Sequence, residues 1–120
     1  MKRLPFPRGQ SKRHMPGVMN QLEQRYATHL SNGMLRGTVA AWWFEPMKLR
    51  LADRTYYSPD FLVMKPDGGL ELHECKGFMM DDAAVKLKVT ASTYWIFPVY
   101  LVKETKGTRG VFTLTQISDA

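Results

Sequence analysis

The chain of 120 residues holds a single cysteine, Cys75, so it has no intrachain disulfide to draw on, and packing must hold the fold together as in proteins made in a reducing compartment. No apolar run approaches the ~20 residues that span a bilayer. The basic start Met1-Lys2-Arg3-Leu4-Pro5-Phe6-Pro7 leads into no apolar stretch of the signal-peptide kind, so a cytoplasmic protein with no membrane partner is expected. Internal repeats are missing as well, which excludes solenoids and propellers. Acids are missing from the beginning of the chain, where none precedes Glu23.

What is present is ordinary for one folded domain: 44% hydrophobic and 23% charged residues, enough for a single core on which any chemistry must sit. The 17 Lys and Arg outnumber the 11 Asp and Glu, but Lys2, Arg3, Arg8, Lys12 and Arg13 account for five of them, leaving 12 against 11. A flexible basic arm over 1–16 is therefore expected ahead of a nearly neutral domain over 17–120. The arm reads either as a phosphate-seeking device or as a solvated terminus.

Met19, Leu22, Tyr26 and Leu30 recur at helical spacing, and Ser31-Asn32-Gly33 carries stop signals, which predicts a helix over 17–32. The bulky segments 39–50 and 56–65, separated by Asp53-Arg54-Thr55, read as two strands. Pro66-Asp67-Gly68-Gly69 is a turn signal, and the alternation over 70–76 makes the next strand its hairpin partner. Asp81 and Asp82 offer capping oxygens to a helix over 82–95, with Ala84, Leu87, Ala91 and Tyr94 as its apolar stripe and Lys86, Thr90 and Thr93 on another face. Strands over 98–103 and 111–117 flank a basic turn, Lys106-Gly107-Thr108-Arg109-Gly110. The order predicts an α/β fold with a mixed β-sheet flanked by helices.

The hairpin carries the chemistry. Pro59-Asp60 lies on one strand and Glu74-Cys75-Lys76 on the next, and Glu74 and Lys76, two apart, share a face. If Met64 pairs with Leu70 across a five-residue loop, Asp60 falls opposite Glu74; a four-residue loop sends it to the other face unless a bulge intervenes. Two carboxylates so placed repel when both are ionised and are reconciled by a hard divalent cation. Magnesium fits, because it binds through one or two carboxylates plus phosphate oxygens, and Lys76 can orient a water or neutralise charge on a phosphate. Glu23 borders the apolar stripe of the first helix, where an unpartnered charge is costly. Its reason for being there is either the metal site, directly or through water, or a salt bridge to Arg25, Arg36 or Arg50, or snorkelling at the stripe's edge. The plain alternative for the hairpin is a turn with scattered charges.

Pro59-Asp60, then Glu74-Cys75-Lys76, with Glu23 on an upstream helix and a lysine-bearing helix downstream, resembles the PD-(D/E)xK nuclease superfamily. Tyr57-Ser58-Pro59-Asp60-Phe61, His73-Glu74-Cys75-Lys76-Gly77, Asp82-Ala83 and Lys86-Leu87-Lys88 resemble small phage-type endonucleases, including those that resolve Holliday junctions. The likeness covers roughly residues 18–102. It implies a restriction-endonuclease-like αβββαβ core, to which this chain adds a C-terminal strand. It further implies a Mg2+-dependent DNA endonuclease, with Mn2+ as a substitute, that acts on branched DNA as a homodimer in the cytoplasm of a bacterial host. Asp60 and Glu74 would ligate the metal, with the Cys75 backbone carbonyl as a third ligand and Glu23 as the upstream acid. Lys76 would be the catalytic lysine, and Lys86 matches a helical position near the active site. Cys75 departs from the usual apolar residue between Glu and Lys, a small change because a buried thiol behaves as a hydrophobe.

His14, His29 and His73 lack metal-ligand spacing, and His73 alternates onto the face opposite Glu74. Trp42, Trp43 and Phe44 either stack on bases or divide between core and edge, and the strand around Trp43 is a candidate dimer contact. Lys86, Lys88, Lys103, Lys106 and Arg109 either track a DNA backbone or form a solvated charged face. Two other functions compete with the nuclease: a non-catalytic nucleic-acid-binding module that uses the basic arm, and a protein-interaction factor whose carboxylates only make salt bridges.

Overall fold

A computed structural model of the protein describes residues 15–77 and 81–118; Lys2, Arg3, Arg8, Lys12, Arg13 and His14 of the expected arm lie outside the described residues. The described elements are helix α1 (Gln21–Arg36), strands β1 (Ala41–Phe44), β2 (Leu49–Ala52), β3 (Thr55–Tyr57), β4 (Phe61–Met64) and β5 (Leu70–Cys75), helix α2 (Asp81–Thr93), and strands β6 (Val99–Glu104) and β7 (Phe112–Ile117). They build the expected α/β fold with a mixed sheet and two helices. The sheet runs β1-β4-β5-β6-β7, and β2 and β3 form a small sheet of their own. Only β5 and β6 are parallel, joined by α2 as the crossover.

Alternation along the strands sends one set of side chains to each helix. Phe61, Val63, Cys75 and Val102 pack with Tyr26, Ala27 and Leu30 of α1. Leu72 and Val99 pack with Leu87 of α2, together with Leu49 and Tyr57 from the small sheet. Full burial of side chains such as Phe61 and Leu72 contributes about 1.5–3 kcal/mol each.

Helix α1 begins later and ends later than the sequence predicts. Asn20 caps it: Asn20 Oδ1 accepts from Glu23 N–H and Glu23 Oε1 accepts from Asn20 N–H, both at 2.8 Å. Gly33 is no stop signal but a close-packing position, since a Cβ there would lie 2.9 Å from Val39 Cγ2. The helix ends instead at Gly37, which takes the left-handed conformation at φ 82°.

The two long strands predicted over 39–50 and 56–65 are each broken in two. Glu45 adopts a positive φ of 47° just before Pro46, and Ser58-Pro59 interrupts the second run, so the middle of the hairpin leaves the main sheet as β2–β3 while its ends pair as β1–β4. In α2, Thr90, expected on a face apart from the apolar stripe, is fully buried; its hydroxyl donates to the Lys86 carbonyl at 2.7 Å, so burial leaves no donor unmet. Asp82 Oδ1 accepts from Ala83 N–H, whereas the cap expected of Asp81 lies outside the described side chains. No described helix is long and apolar enough to cross a membrane.

Candidate active site

The hairpin register is the one that brings the acids together. Met64 pairs with Leu70 and Phe61 with His73, so Asp60, one step further, stands opposite Glu74. There the Cys75 N–H donates to Asp60 Oδ2 at 2.8 Å. Both acids are 6% exposed. Lys76 follows β5 directly, its N–H bonded to the Val102 carbonyl, and its Nζ lies 3.3 Å from Glu74 Oε2. The other oxygen, Glu74 Oε1, accepts the Tyr57 hydroxyl at 2.5 Å.

These groups line an open cavity of about 510 Å³ at the end of the sheet, together with Asn20, the cap of α1, Glu23 of α1, Glu45, and Lys86 from α2. The elements converge for plain reasons. β5 supplies Glu74 and leads to Lys76, β4 starts beyond Asp60, and the first turn of α1 reaches the same sheet end.

Burial dominates the electrostatics. It pushes the Asp60 carboxyl up to about 8, the Glu74 charge adds to the rise, and the Cys75 amide opposes it. Burial also raises Glu74, against the opposing pull of the Tyr57 hydrogen bond and Lys76. Burial works against the Lys76 ammonium as well, but the Glu74 and Asp60 carboxylates outweigh it and hold its pKa above the ordinary value. The protein alone thus disfavours the ionised form of both acids, and a bound cation would favour it in place of a proton.

Asp60 and Glu74 are the side chains suited to hold a metal, with the Cys75 carbonyl on the same strand end. Among the described residues no group of three or more His, Cys, Asp or Glu side chains is arranged as a ready-made cage. A carboxylate pair fits a hard cation that keeps its remaining positions for water and phosphate oxygens, and such a cation offsets the burial that raises both acids and the Glu74 charge that further raises Asp60.

Glu23 is 4% exposed and lines the cavity, but its carboxylate also completes the helix cap. That cap is the partner the sequence reading lacked, in place of Arg25, Arg36 or Arg50; Arg25 is bound instead to Glu104 through two hydrogen bonds of 2.8 and 2.7 Å. The spacing Asn20-x-x-Glu23 is itself a capping-box signature and could have revealed it. Tyr57 is the functional side chain that sequence reasoning missed, since nothing in its spacing from Asp60 signals a contact with Glu74. Lys86 reaches the cavity, its Nζ donating to the Tyr56 carbonyl at 3.3 Å, while Lys88 is exposed and lies outside the lining.

The other candidates sort by face. His73 is buried opposite Glu74, with Nδ1 2.6 Å from the Tyr26 hydroxyl and Nε2 2.9 Å from Glu71 Oε1. Trp42 and Phe44 pack on Phe61, and Trp43 stays 42% exposed on the outermost strand, β1. Cys75 is buried in the α1 cluster, where burial pushes its thiol up and keeps it neutral.

Compared with known proteins, the chain matches no family model, no curated protein and no solved structure.

Proposed function

We propose that the protein is a Mg2+-dependent DNA endonuclease of the PD-(D/E)xK type, with Mn2+ able to replace Mg2+. The observation that carries this reading is the pairing of two buried carboxylates, Asp60 and Glu74, beside a lysine in one open cavity. The architecture supports it. Leaving out the β2–β3 excursion, the order is helix, three strands, helix, strand, the same order as the αβββαβ core of restriction-endonuclease-like folds, with β7 as a further C-terminal strand.

In this reading Asp60 and Glu74 hold the cation, with the Cys75 carbonyl as a third ligand. Magnesium, when bound, supplies Lewis-acid charge for phosphodiester hydrolysis. The Cys75 amide fixes Asp60 and the Tyr57 hydroxyl fixes Glu74, so both ligands are oriented before substrate arrives. Lys76 positions the attacking water and offsets charge developing on the phosphate. Lys86, at the cavity wall, holds the neighbouring backbone phosphate, and Glu23 supports bound water from the end of α1. Lys88 and the arm cations Lys2, Arg3, Arg8, Lys12 and Arg13 extend the contact along DNA by counterion release.

A branched substrate is favoured over a sequence target because so small a domain has little surface left for base readout. Two cuts on a branched DNA need two sites, so the active form is a homodimer, with Trp43 on the edge strand β1 as its contact.

The test is cleavage of a labelled four-way junction and a matched linear duplex, with magnesium or chelator, by wild type and Glu74→Gln. Magnesium-dependent product from the wild type alone is expected, with the junction preferred. Equal binding of both DNAs by both proteins, with no product, would replace this reading by the non-catalytic binding module.

A further inference from the structure

Both oxygens of Glu74 are engaged by the protein, but by partners of unlike mobility. Tyr57, on Oε1, is 7% exposed and packed with Leu49, Leu72 and Leu87, so its hydroxyl cannot withdraw without opening that core. Lys76, on Oε2, has a side chain 37% exposed, and its ammonium rides on a flexible four-carbon stem at the cavity wall. Any cation that approaches Glu74 from the cavity therefore meets an oxygen already occupied by an ammonium, while the second oxygen is closed off by a buried phenol.

The geometry points to an exchange: Lys76 is the resident counter-ion of Glu74 in the metal-free protein, a divalent cation and the Lys76 ammonium occupy Glu74 Oε2 alternately, and Tyr57 is the positioning residue that presents this oxygen to both. The inference rests on the metal site proposed above and adds its regulation. Cation entry frees the lysine into the cavity, so the group needed to act on substrate is released by the event that readies the site. Until then the ammonium offsets the charge of the buried Glu74 carboxylate.

The measurement is Mn2+ binding without DNA, read from the loss of the free-ion electron paramagnetic resonance signal, on the full chain. Lys76→Met keeps the apolar stem and removes the competitor; it is expected to bind Mn2+ about tenfold more tightly, the effect that one adjacent charge has on a carboxylate's proton affinity. Lys86→Met removes a charge from the same cavity without touching Glu74 and controls for general electrostatics, so its affinity is expected to change less than about twofold. Tyr57→Phe is expected to weaken binding by roughly 10–100-fold, as loss of a group supporting a metal ligand does. Thermal melts establish that each variant is folded, and Lys76→Gln replaces Lys76→Met if the latter is not. Equal tightening by Lys76→Met and Lys86→Met, or no tightening by Lys76→Met, overturns the exchange. Glu74→Gln separates the two levels: if it leaves Mn2+ binding intact, the metal site itself is wrong, whatever Lys76 does.

Discussion

Strand β5 divides its polar residues between the two faces of the sheet, and the two faces treat them differently. On the α1 face, His73 sits in a closed chain: Glu71 draws on Nε2, the Tyr26 hydroxyl meets Nδ1, and the His73 ring packs against Tyr26 and Tyr100. Burial pushes the Tyr26 phenol up so that it stays a neutral partner, and the hydrogen bond from His73 holds the Glu71 carboxyl down. Donors match acceptors there, which is how a buried polar group serves structure. On the other face, one residue along, Glu74 is set against Asp60, and burial raises both acids. Ionising both of them there costs stability, since each charge is buried and the Glu74 charge opposes that of Asp60. That asymmetry within a single strand marks one cluster as architecture and the other as a site.

The comparison is sharpened most by taking one residue from each face. Glu74→Gln is expected to reduce magnesium-dependent cleavage by more than the ~100-fold upper range for residues that only support a metal ligand, while its melting temperature in chelator holds or rises because a buried repulsion is gone. Tyr26→Phe is expected to do the reverse. It leaves His73 Nδ1 buried without its partner, a loss of about 1–3 kcal/mol, with Mn2+ affinity unchanged. If Tyr26→Phe weakened Mn2+ binding as much as it lowered stability, the two faces would not be separate systems.

A smaller effect follows from pH. The Asp60 carboxyl rises from 3.8 to about 8 on folding, chiefly by burial and then by the Glu74 charge. Between those values the folded state holds a proton that the unfolded state has released. This contribution to stability is fully present below the unfolded value and is lost as pH rises through the folded one. In chelator, wild type is therefore expected to lose melting temperature relative to Asp60→Asn as pH rises from 4 to 8.5, at about 4 °C per kcal/mol for a domain of this size. A constant gap across that range would mean that Asp60 is already ionised in the fold.

How much of this was legible beforehand depended on the length scale of the signal. The β4–β5 hairpin was readable from Pro66-Asp67-Gly68-Gly69, but its register was open between two loop lengths; the structure takes the five-residue loop, in which Gly68 N–H bonds the Lys65 carbonyl and the pairing of Met64 with Leu70 sets the parity of Asp60 and Glu74. The helical crossover and the parallel β5–β6 pair were readable from the order of elements. The break of the first hairpin into β1–β4 and β2–β3 was not, because it depends on a positive φ at Glu45, a conformation that a non-glycine side chain does not advertise. Nor was the contact of Tyr57 with Glu74, since β3 is brought over the sheet by packing of Tyr57 and Leu49 against Leu72 and Leu87, which has no local pattern.

The finest distinction concerns Glu23, which belongs to both regions in one sense: it caps the helix that covers the α1 face and lines the cavity on the other. The two roles separate chemically. A capping box accepts Gln as readily as Glu at the third helical position, because the amide oxygen can still receive the Asn20 N–H. Glu23→Gln therefore removes the charge and keeps the cap, whereas Asn20→Ala removes the reciprocal bond and keeps the charge. Asn20→Ala is expected to cost about 1 kcal/mol of stability, read in a denaturant melt, with cleavage retained. Glu23→Gln is expected to cost less than Asn20→Ala, because the amide oxygen keeps the cap bond, and to lower cleavage if the carboxylate supports the bound water. Unchanged cleavage in Glu23→Gln would assign this buried acid to the helix cap alone and leave Asp60 and Glu74 as the whole acidic part of the site.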